Sequence, residues 1–249
     1  MHSTQLRSPA HAIGLTLAIV LGAAAFPARA QTSITYLLGT VFSPDPVVAH
    51  PDSSPPWLTA TFTNDGSYGG VNHTGQVQLT MTVSDLPTSE FVSDWLFNIV
   101  PAKNPADLQF TLVGAAPGVL PSIGHTTNAY MADGDGKYDI KFSFAASGGH
   151  GGADRFTANE MFTYNIVLPG DSTLTASDFY TLSAPAGGHG PYYVAAHIQG
   201  IPDSMGGTSN SDWLTAIPEP SGSTAILGFC AGVLAIIQKI RRERTPIRA

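Results

Sequence analysis

The sequence predicts an all-β domain, an antiparallel β-sandwich of jelly-roll-like or Ig-like type, within a chain of 249 residues. Glycine and proline are abundant, with 26 and 19 residues, and charged residues make up only 12% of the chain. This composition suits short strands joined by turns better than helices, which favour Ala, Leu, Glu and Lys. Several segments alternate apolar and polar residues with the period of a half-buried strand, and long helical periodicity is absent.

The N-terminal segment has the pattern of a cleavable signal peptide. Arg7 supplies a positive charge, residues 12–26 are uncharged and mostly apolar, and Ala28 and Ala30 frame an A-x-A cleavage site. The apolar run is short for a transmembrane helix, which needs about 20 residues. We therefore expect signal peptidase to remove residues 1–30; an uncleaved anchor is the alternative.

We expect residues 31–205 to form the sandwich and residues 206–216 to form a linker; a last edge contact at Trp213 and Leu214 is the alternative for the end of this segment. The clearest strand patterns are QVQLTMTV, YDIKFSF and MFTYNIVL, and D-G and P-G turn signals separate the candidate strands. YDIKFSF predicts one face that carries Tyr138, Ile140, Phe142 and Phe144. Further candidate strands cover residues 34–40, 57–63, 94–100, 108–113 and 192–198.

The charge of the body restricts its partners. Between residues 31 and 217 there are four basic and sixteen acidic residues, a formal charge of −12. Such a surface repels phosphate backbones, so we expect no nucleic-acid partner. The single cysteine, Cys230, lies in the C-terminal apolar segment, so the body forms no disulfide of its own.

One acidic loop is a candidate calcium site. Asp133, Asp135 and Asp139 stand in the run D-G-D-G-K-Y-D, and carboxylates around glycines can wrap a hard cation such as Ca²⁺. Lys137 occupies the third acidic position of the usual calcium loop, and no glutamate closes it. The alternative is an ordinary D-G hairpin turn that leads into the next strand.

The C-terminal segment has three parts in a fixed order. Extended I-P-E-P-S begins at Ile217, because two prolines around a glutamate prevent helix and central strand. An uncharged run follows, and its predicted transmembrane helix covers about residues 221–238. Residues 239–249 are basic and should stay cytoplasmic. The basic residues that would stop the chain in the membrane are Lys239, Arg241, Arg242 and Arg244.

This order resembles the PEP-CTERM sorting domain over residues 217–249, although Ile217 replaces the usual valine. The resemblance implies a substrate of exosortase, a membrane transpeptidase or protease of Gram-negative bacteria that make extracellular polysaccharide. It implies recognition and cleavage at Pro218, Glu219 and Pro220, which act as substrate. The precursor would lie in the inner membrane with its body in the periplasm, and the mature form would reach the outer surface or the medium.

Three functions remain open for the body. The first is a non-enzymatic surface or matrix protein associated with exopolysaccharide. The second is a calcium-dependent carbohydrate-binding module, with aromatic side chains that stack on sugars, such as Trp57, Trp95, Tyr192 and Tyr193. The third is a secreted hydrolase, although neither a G-x-S-x-G elbow nor an H-E-x-x-H motif is present. No cofactor is expected with the exception of Ca²⁺.

Overall fold

A computed structural model describes residues 33–43, 54–64, 75–147, 154–188, 190–202 and 210–216. Within these ranges the chain forms eleven strands and two short 3-10 helices, Pro105–Asp107 and Ala176–Phe179. The strands, in chain order, are β1 Ser33–Leu38, β2 Thr40–Ser43, β3 Leu58–Asn64, β4 Gln76–Val83, β5 Phe91–Phe97, β6 Gln109–Leu112, β7 Ser122–Ala132, β8 Asp135–Ser143, β9 Met161–Val167, β10 Val194–Ile201 and β11 Asn210–Thr215.

The strands form two sheets, and every described pairing between strands is antiparallel. The first sheet has the order β1-β3-β4-β9-β6, and the second has the order β2-β11-β10-β5-β8-β7. The prediction of a mostly β, antiparallel chain is therefore confirmed for the described residues.

The two sheets share one buried core. Alternate residues of the strands of both sheets belong to a single apolar cluster, as the period-two patterns predict. Rings from opposite sheets meet directly: Phe62 of β3 lies edge-on to Phe97 of β5 at 5.2 Å between centroids, and Phe142 of β8 lies 5.3 Å from Tyr164 of β9. Such aromatic pairs add about 0.5–1.5 kcal/mol each to the burial of their area.

The end of the sequence-predicted domain is corrected by the last strand. Residues 206–216 were expected to be linker, but Asn210–Thr215 forms β11, which pairs with β10 on one side and with β2 on the other. This strand is largely polar, and its sequence has no clear alternation. It is held by its neighbours on both sides, so the second sheet extends beyond residue 205.

The register of β8 divides the predicted face of YDIKFSF. Ile140, Phe142 and Phe144 lie in the shared core, whereas Tyr138 lies in a second apolar cluster. Between the pairs His125↔Ile140 and Tyr130↔Tyr138, four residues of β7 lie opposite one residue of β8. This irregularity breaks the simple alternation, and Tyr138 points to the opposite side of the sheet.

The second cluster lies on the outer face of the second sheet. It contains Leu96 and Ala195, whose chain neighbours point into the shared core. Its buried members are Phe42, Leu96, Ala132, Tyr138 and Ala195, and Tyr130, Tyr192 and Trp213 pack against it. The second sheet is thus apolar on both faces over part of its area.

Both predicted processing segments lie outside the described residues. These segments contain the signal-cleavage residues Ala28 and Ala30, the sorting residues Pro218, Glu219 and Pro220, and the basic residues from Lys239 onward. Among the residues that are described, no helix has the length and hydrophobicity needed to cross a bilayer.

Candidate functional site

The acidic loop contains a tight β-hairpin turn. Asp133 and Gly134 connect β7 to β8, and both have positive φ, 48° and 81°. Positive φ at both central residues defines a type I′ turn, for which Asp-Gly is a preferred pair because glycine tolerates this conformation at no steric cost. The backbone of residues 133 and 134 is therefore that of an ordinary D-G hairpin turn.

Asp135 turns away from the solvent and binds a neighbouring loop. Its side chain is buried, and its Oδ1 accepts a hydrogen bond from the backbone N–H of Gly188 at 2.7 Å. The segment before Gly188 runs beside the start of β8, since Gly136 donates to Ala186 and Lys137 pairs with Ala184. Asp135 thus helps to hold this segment against the sheet.

Asp139 ties two other segments together. It is buried, and its Oδ2 accepts from the backbone N–H of Ile99 at 3.1 Å while Oδ1 accepts from that of Asn128 at 2.8 Å. Asn128 lies in the irregular part of β7 and has a φ of 53°. Asp139 also borders a pocket of about 270 Å³ whose other lining residues include Asn98, Lys103 and Leu182.

The three candidate calcium ligands therefore have different surroundings. Asp133 is exposed at the turn, whereas the carboxylates of Asp135 and Asp139 each accept backbone N–H groups from other segments. In the described ranges no three His, Cys, Asp or Glu side chains are grouped so that they could hold a metal ion. The calcium hypothesis stays a prediction, and its ligands would have to exchange existing hydrogen bonds for metal contacts.

A row of polar and aromatic side chains crosses the outer face of the second sheet. Trp213 of β11, His197 of β10, Asp94 of β5 and Ser143 of β8 are successive cross-strand partners. We call these four residues the polar row. The imidazole stacks on the indole at 4.6 Å, and Ser143 donates its hydroxyl to Asp94 at 2.8 Å. Lys141 adds an ion pair with Asp94 at 2.9 Å.

A β-bulge places Ser93 beside this row. The pairing of β5 with β10 passes from His197↔Asp94 to Ile198↔Val92 and leaves Ser93 without a partner in the ladder. The Ser93 hydroxyl lies 2.8 Å from Nδ1 of His197, and Oδ2 of Asp94 lies 3.9 Å from the same nitrogen. Burial lowers the pKa of His197, and Asp94 opposes that shift.

Ser93, His197 and Asp94 have the residue types of a nucleophilic triad in a different arrangement. In a triad the hydroxyl binds one ring nitrogen and the carboxylate binds the other. Here both lie near Nδ1, and Ser93 is buried, with only 4% of its surface exposed. This geometry suits a hydrogen-bonded network that fixes the imidazole on the sheet.

The aromatic residues proposed for sugar stacking have unequal exposure. Trp57 and Trp95 are buried in the shared core, so neither presents a ring face to a ligand. Tyr192 and Tyr193 are half-buried; Tyr192 packs on Phe42 at 4.4 Å, and Tyr193 stacks on Tyr180 at 4.7 Å.

The sequence gives only a weak sign of the group formed by His197, Ser93 and Asp94. His197 stands between apolar Ala196 and Ile198, which suggests an outward-facing strand position, but no sequence motif connects it to Ser93 or Asp94. Their proximity depends on the pairing of β5 with β10, which are about 100 residues apart.

Comparison with known proteins adds no relative. No protein-family model, no curated protein and no solved structure matches the chain. The function proposed below therefore depends on the residues of this chain and on the resemblance of its C-terminal segment.

Proposed function

We propose that this chain is an exported, non-enzymatic surface or extracellular-matrix protein of a Gram-negative bacterium, associated with exopolysaccharide and sorted through its C-terminal segment. The observation that carries this proposal is the order of the last 33 residues: Pro218-Glu219-Pro220, an uncharged apolar run, and a basic cluster from Lys239. That order resembles the PEP-CTERM sorting signal, in which exosortase acts at the proline-flanked glutamate.

The body supports a role outside the cytoplasm. It is strongly acidic, has no cysteine before Cys230, and forms two antiparallel sheets around one core. We propose that these sheets form a β-sandwich, a compact unit whose stability comes from packing and strand pairing and needs no disulfide. The non-enzymatic part of the proposal has two supports: the sequence lacks a known catalytic motif, and Ser93, His197 and Asp94 depart from triad geometry.

The processing of the tail gives a direct test. Protein from the native host should end within or near residues 218–220 and should lack the apolar run and the basic cluster. Glu219→Gln should leave the chain intact to Ala249 and hold it at the inner membrane, because the protease would lose the charged group between the two prolines. Mass spectrometry of C-terminal peptides and membrane fractionation measure both results.

A matched substitution controls for the loss of a glutamate. Glu243→Gln makes the same chemical change within the basic cluster and should be processed like the unaltered chain. If the unaltered protein from the host still ends at Ala249, the sorting proposal is wrong. If Glu243→Gln blocks processing as strongly as Glu219→Gln, recognition does not depend on the Pro-Glu-Pro segment.

A further inference from the structure

A second polar site lies next to the polar row, around Arg155. It is a pocket of about 350 Å³ at the far end of β10, within the lower part of the size range of small-molecule sites. Its polar lining consists of one guanidinium, two hydroxyl groups and one carboxamide, and its lining residues include Ser89, Phe91, Arg155, Gln199, Gly200 and Ser211.

Two contacts with described residues hold Arg155 in place. Its Nε donates to the backbone carbonyl of Ala146 at 3.2 Å, and its Cζ lies 4.0 Å from the centroid of the Phe91 ring. These contacts fix the plane of the guanidinium. Its Nη groups make no hydrogen bond or ion pair with any described residue. A guanidinium has five N–H donors in a fork that matches a carboxylate. The pocket therefore contains an oriented group that can bind a carboxylate.

The other basic groups of the body are differently placed. Lys103 is hydrogen-bonded to Asp171, and Lys141 pairs with Asp94 at 2.9 Å. Lys137 is exposed on β8, away from this pocket. Arg155 is therefore a fixed positive group within a body whose formal charge is −12. Among the described residues no carboxylate contacts its Nη groups, so an anion of a ligand could bind there.

The shape of the pocket depends on a β-bulge at Gly200. The pairing of β10 with β11 passes from Gln199↔Ser211 to Ile201↔Asn210 and leaves Gly200 unpaired. Gly200 has a φ of 79°, and a Cβ there would lie 2.3 Å from the carbonyl oxygen of Ser89. The bulge thus brings Ser89 against the strand and places it near Gln199 and Ser211 at the pocket.

The chemistry of the pocket favours a sugar acid. A guanidinium binds a carboxylate, and neutral hydroxyl and amide groups are suited to hydrogen bonds with the hydroxyl groups of a sugar. A polymer with a charge on every unit would be repelled by the acidic body at distances up to a Debye length of about 8–10 Å. A single acidic unit in a mostly neutral chain avoids most of that repulsion.

We propose that the Arg155 pocket binds the carboxylate of a uronic acid unit within an otherwise neutral glycan, with Ser89, Gln199 and Ser211 as hydrogen-bonding partners of the sugar. This inference rests on the proposed association with extracellular polysaccharide and specifies the kind of polymer. It requires no calcium and does not involve Asp133, Asp135 or Asp139.

The test compares two disaccharides that differ only in the carboxylate. Cellobiouronic acid and cellobiose are titrated into the full-length chain, kept soluble in a non-ionic detergent, and binding is followed by calorimetry. We expect the acid to bind and cellobiose to bind at least tenfold more weakly. Arg155→Gln should weaken binding of the acid at least tenfold, whereas Lys137→Gln, which removes an equal charge at an exposed site, should leave it unchanged.

Two further measurements make the outcome decisive. If Arg155→Gln lowers the melting temperature so far that it cannot be titrated, Ser211→Ala replaces it and should weaken binding several-fold. N-acetylglutamate α-amide tests whether any carboxylate suffices, and equal binding of this compound would overturn the sugar assignment. Absence of binding, equal binding of cellobiose, or unchanged binding by the variants at Arg155 or Ser211 would overturn the proposal.

The two proposals fail in distinguishable ways. C-terminal processing in the host is read by mass spectrometry and does not depend on the pocket. An unprocessed chain that binds the acid would leave the pocket assignment intact and remove the sorting proposal, and a processed chain without binding would do the reverse.

Discussion

Asp139 is buried at the point where β7 departs from regular pairing with β8, and its two oxygens accept hydrogen bonds from the backbone of two separate segments. Hydrogen bonds to a charged acceptor contribute about 1.5–3 kcal/mol, and a buried donor that loses its acceptor costs about 1–3 kcal/mol. The carboxylate therefore contributes to stability through Ile99 and Asn128.

Asp139→Asn should lower the free energy of unfolding by about 2 kcal/mol, because an amide offers one acceptor oxygen and places an NH₂ group against the second N–H. Asp133→Asn should change it by less than about 0.5 kcal/mol, since this exposed turn position tolerates asparagine with positive φ. Urea unfolding measures both. A stabilisation by millimolar Ca²⁺ that Asp139→Asn abolishes would instead support the calcium hypothesis.

His197 should make the protein less stable in mild acid. Burial lowers its pKa below the usual value of 6.5; Asp94 and Asp133 oppose this shift, whereas Lys141 adds to it. Because the native pKa lies below that of the unfolded chain, the unfolded state binds more protons in the interval between them. The contribution of neutral, buried His197 to the free energy of unfolding is therefore fully present above about pH 6.5. It is lost as the pH drops through the native pKa.

The difference between two pH profiles isolates this residue. The melting temperature of the unaltered chain should fall between pH 7.5 and 5.0, and His197→Gln should reduce that fall. His125→Gln, which removes a histidine from β7, shows how much of the change follows from the loss of any histidine. An identical slope for His197→Gln and the unaltered chain would contradict the role of burial.

At the scale of the strands, glycines at similar φ serve different purposes. Gly134 lies in the hairpin between β7 and β8 with a φ of 81°, and a Cβ there would meet nothing within 4 Å. Gly200 forms the bulge of β10 with a φ of 79°, but a Cβ there would lie 2.3 Å from the Ser89 carbonyl oxygen. The first needs glycine for its backbone conformation alone, whereas the second needs it also for space.

Alanine substitutions should separate these two requirements. Gly134→Ala should cost about 1 kcal/mol, the penalty of a left-handed conformation for an L-residue. Gly200→Ala should cost about 3 kcal/mol or more, because the segment at Ser89 must also move. Urea-unfolding midpoints measure the difference. Equal costs would mean that the contact at Ser89 relaxes freely.

The strands also differ in how clearly their sequences predict them. The segment of β4 has strict alternation and pairs over its whole length with β3 and β9. The segments of β7 and β11 are polar and irregular, and local sequence gives little sign of either. Their backbone conformation follows from hydrogen bonding to β8 and β10, which a local pattern does not describe.

The two sheets stabilise each other through contacts in the shared core. Phe142 of the second sheet touches Phe110 and Tyr164 of the first, at 5.6 and 5.3 Å between ring centroids. Tyr36 of β1 donates its buried hydroxyl to the carbonyl of Phe179 in the second 3-10 helix at 2.8 Å. We therefore expect the described parts of the two sheets to unfold together.

The body is acidic, whereas the C-terminal segment is basic. A formal charge of −12 in the body should repel polyanions. The basic residues of the C-terminal segment lie beyond the proposed cleavage site, so processing would leave the mature protein more acidic than the precursor. The Nη groups of Arg155, which pair with no carboxylate among the described residues, are then a local positive site on a negative surface.

The all-β class, most of the core-facing positions and the acidic character of the body can be predicted from the sequence, because alternation, turn residues and charge are local properties. The sequence also supplied the whole basis for the sorting proposal. Three features are visible only in the folded chain: Tyr138 lies outside the shared core, β11 lies inside the second sheet, and Arg155 lines one pocket with Gln199 and Ser211. These outcomes depend on register and bulges between strands far apart in the chain, which are set by the packing of the whole sheet.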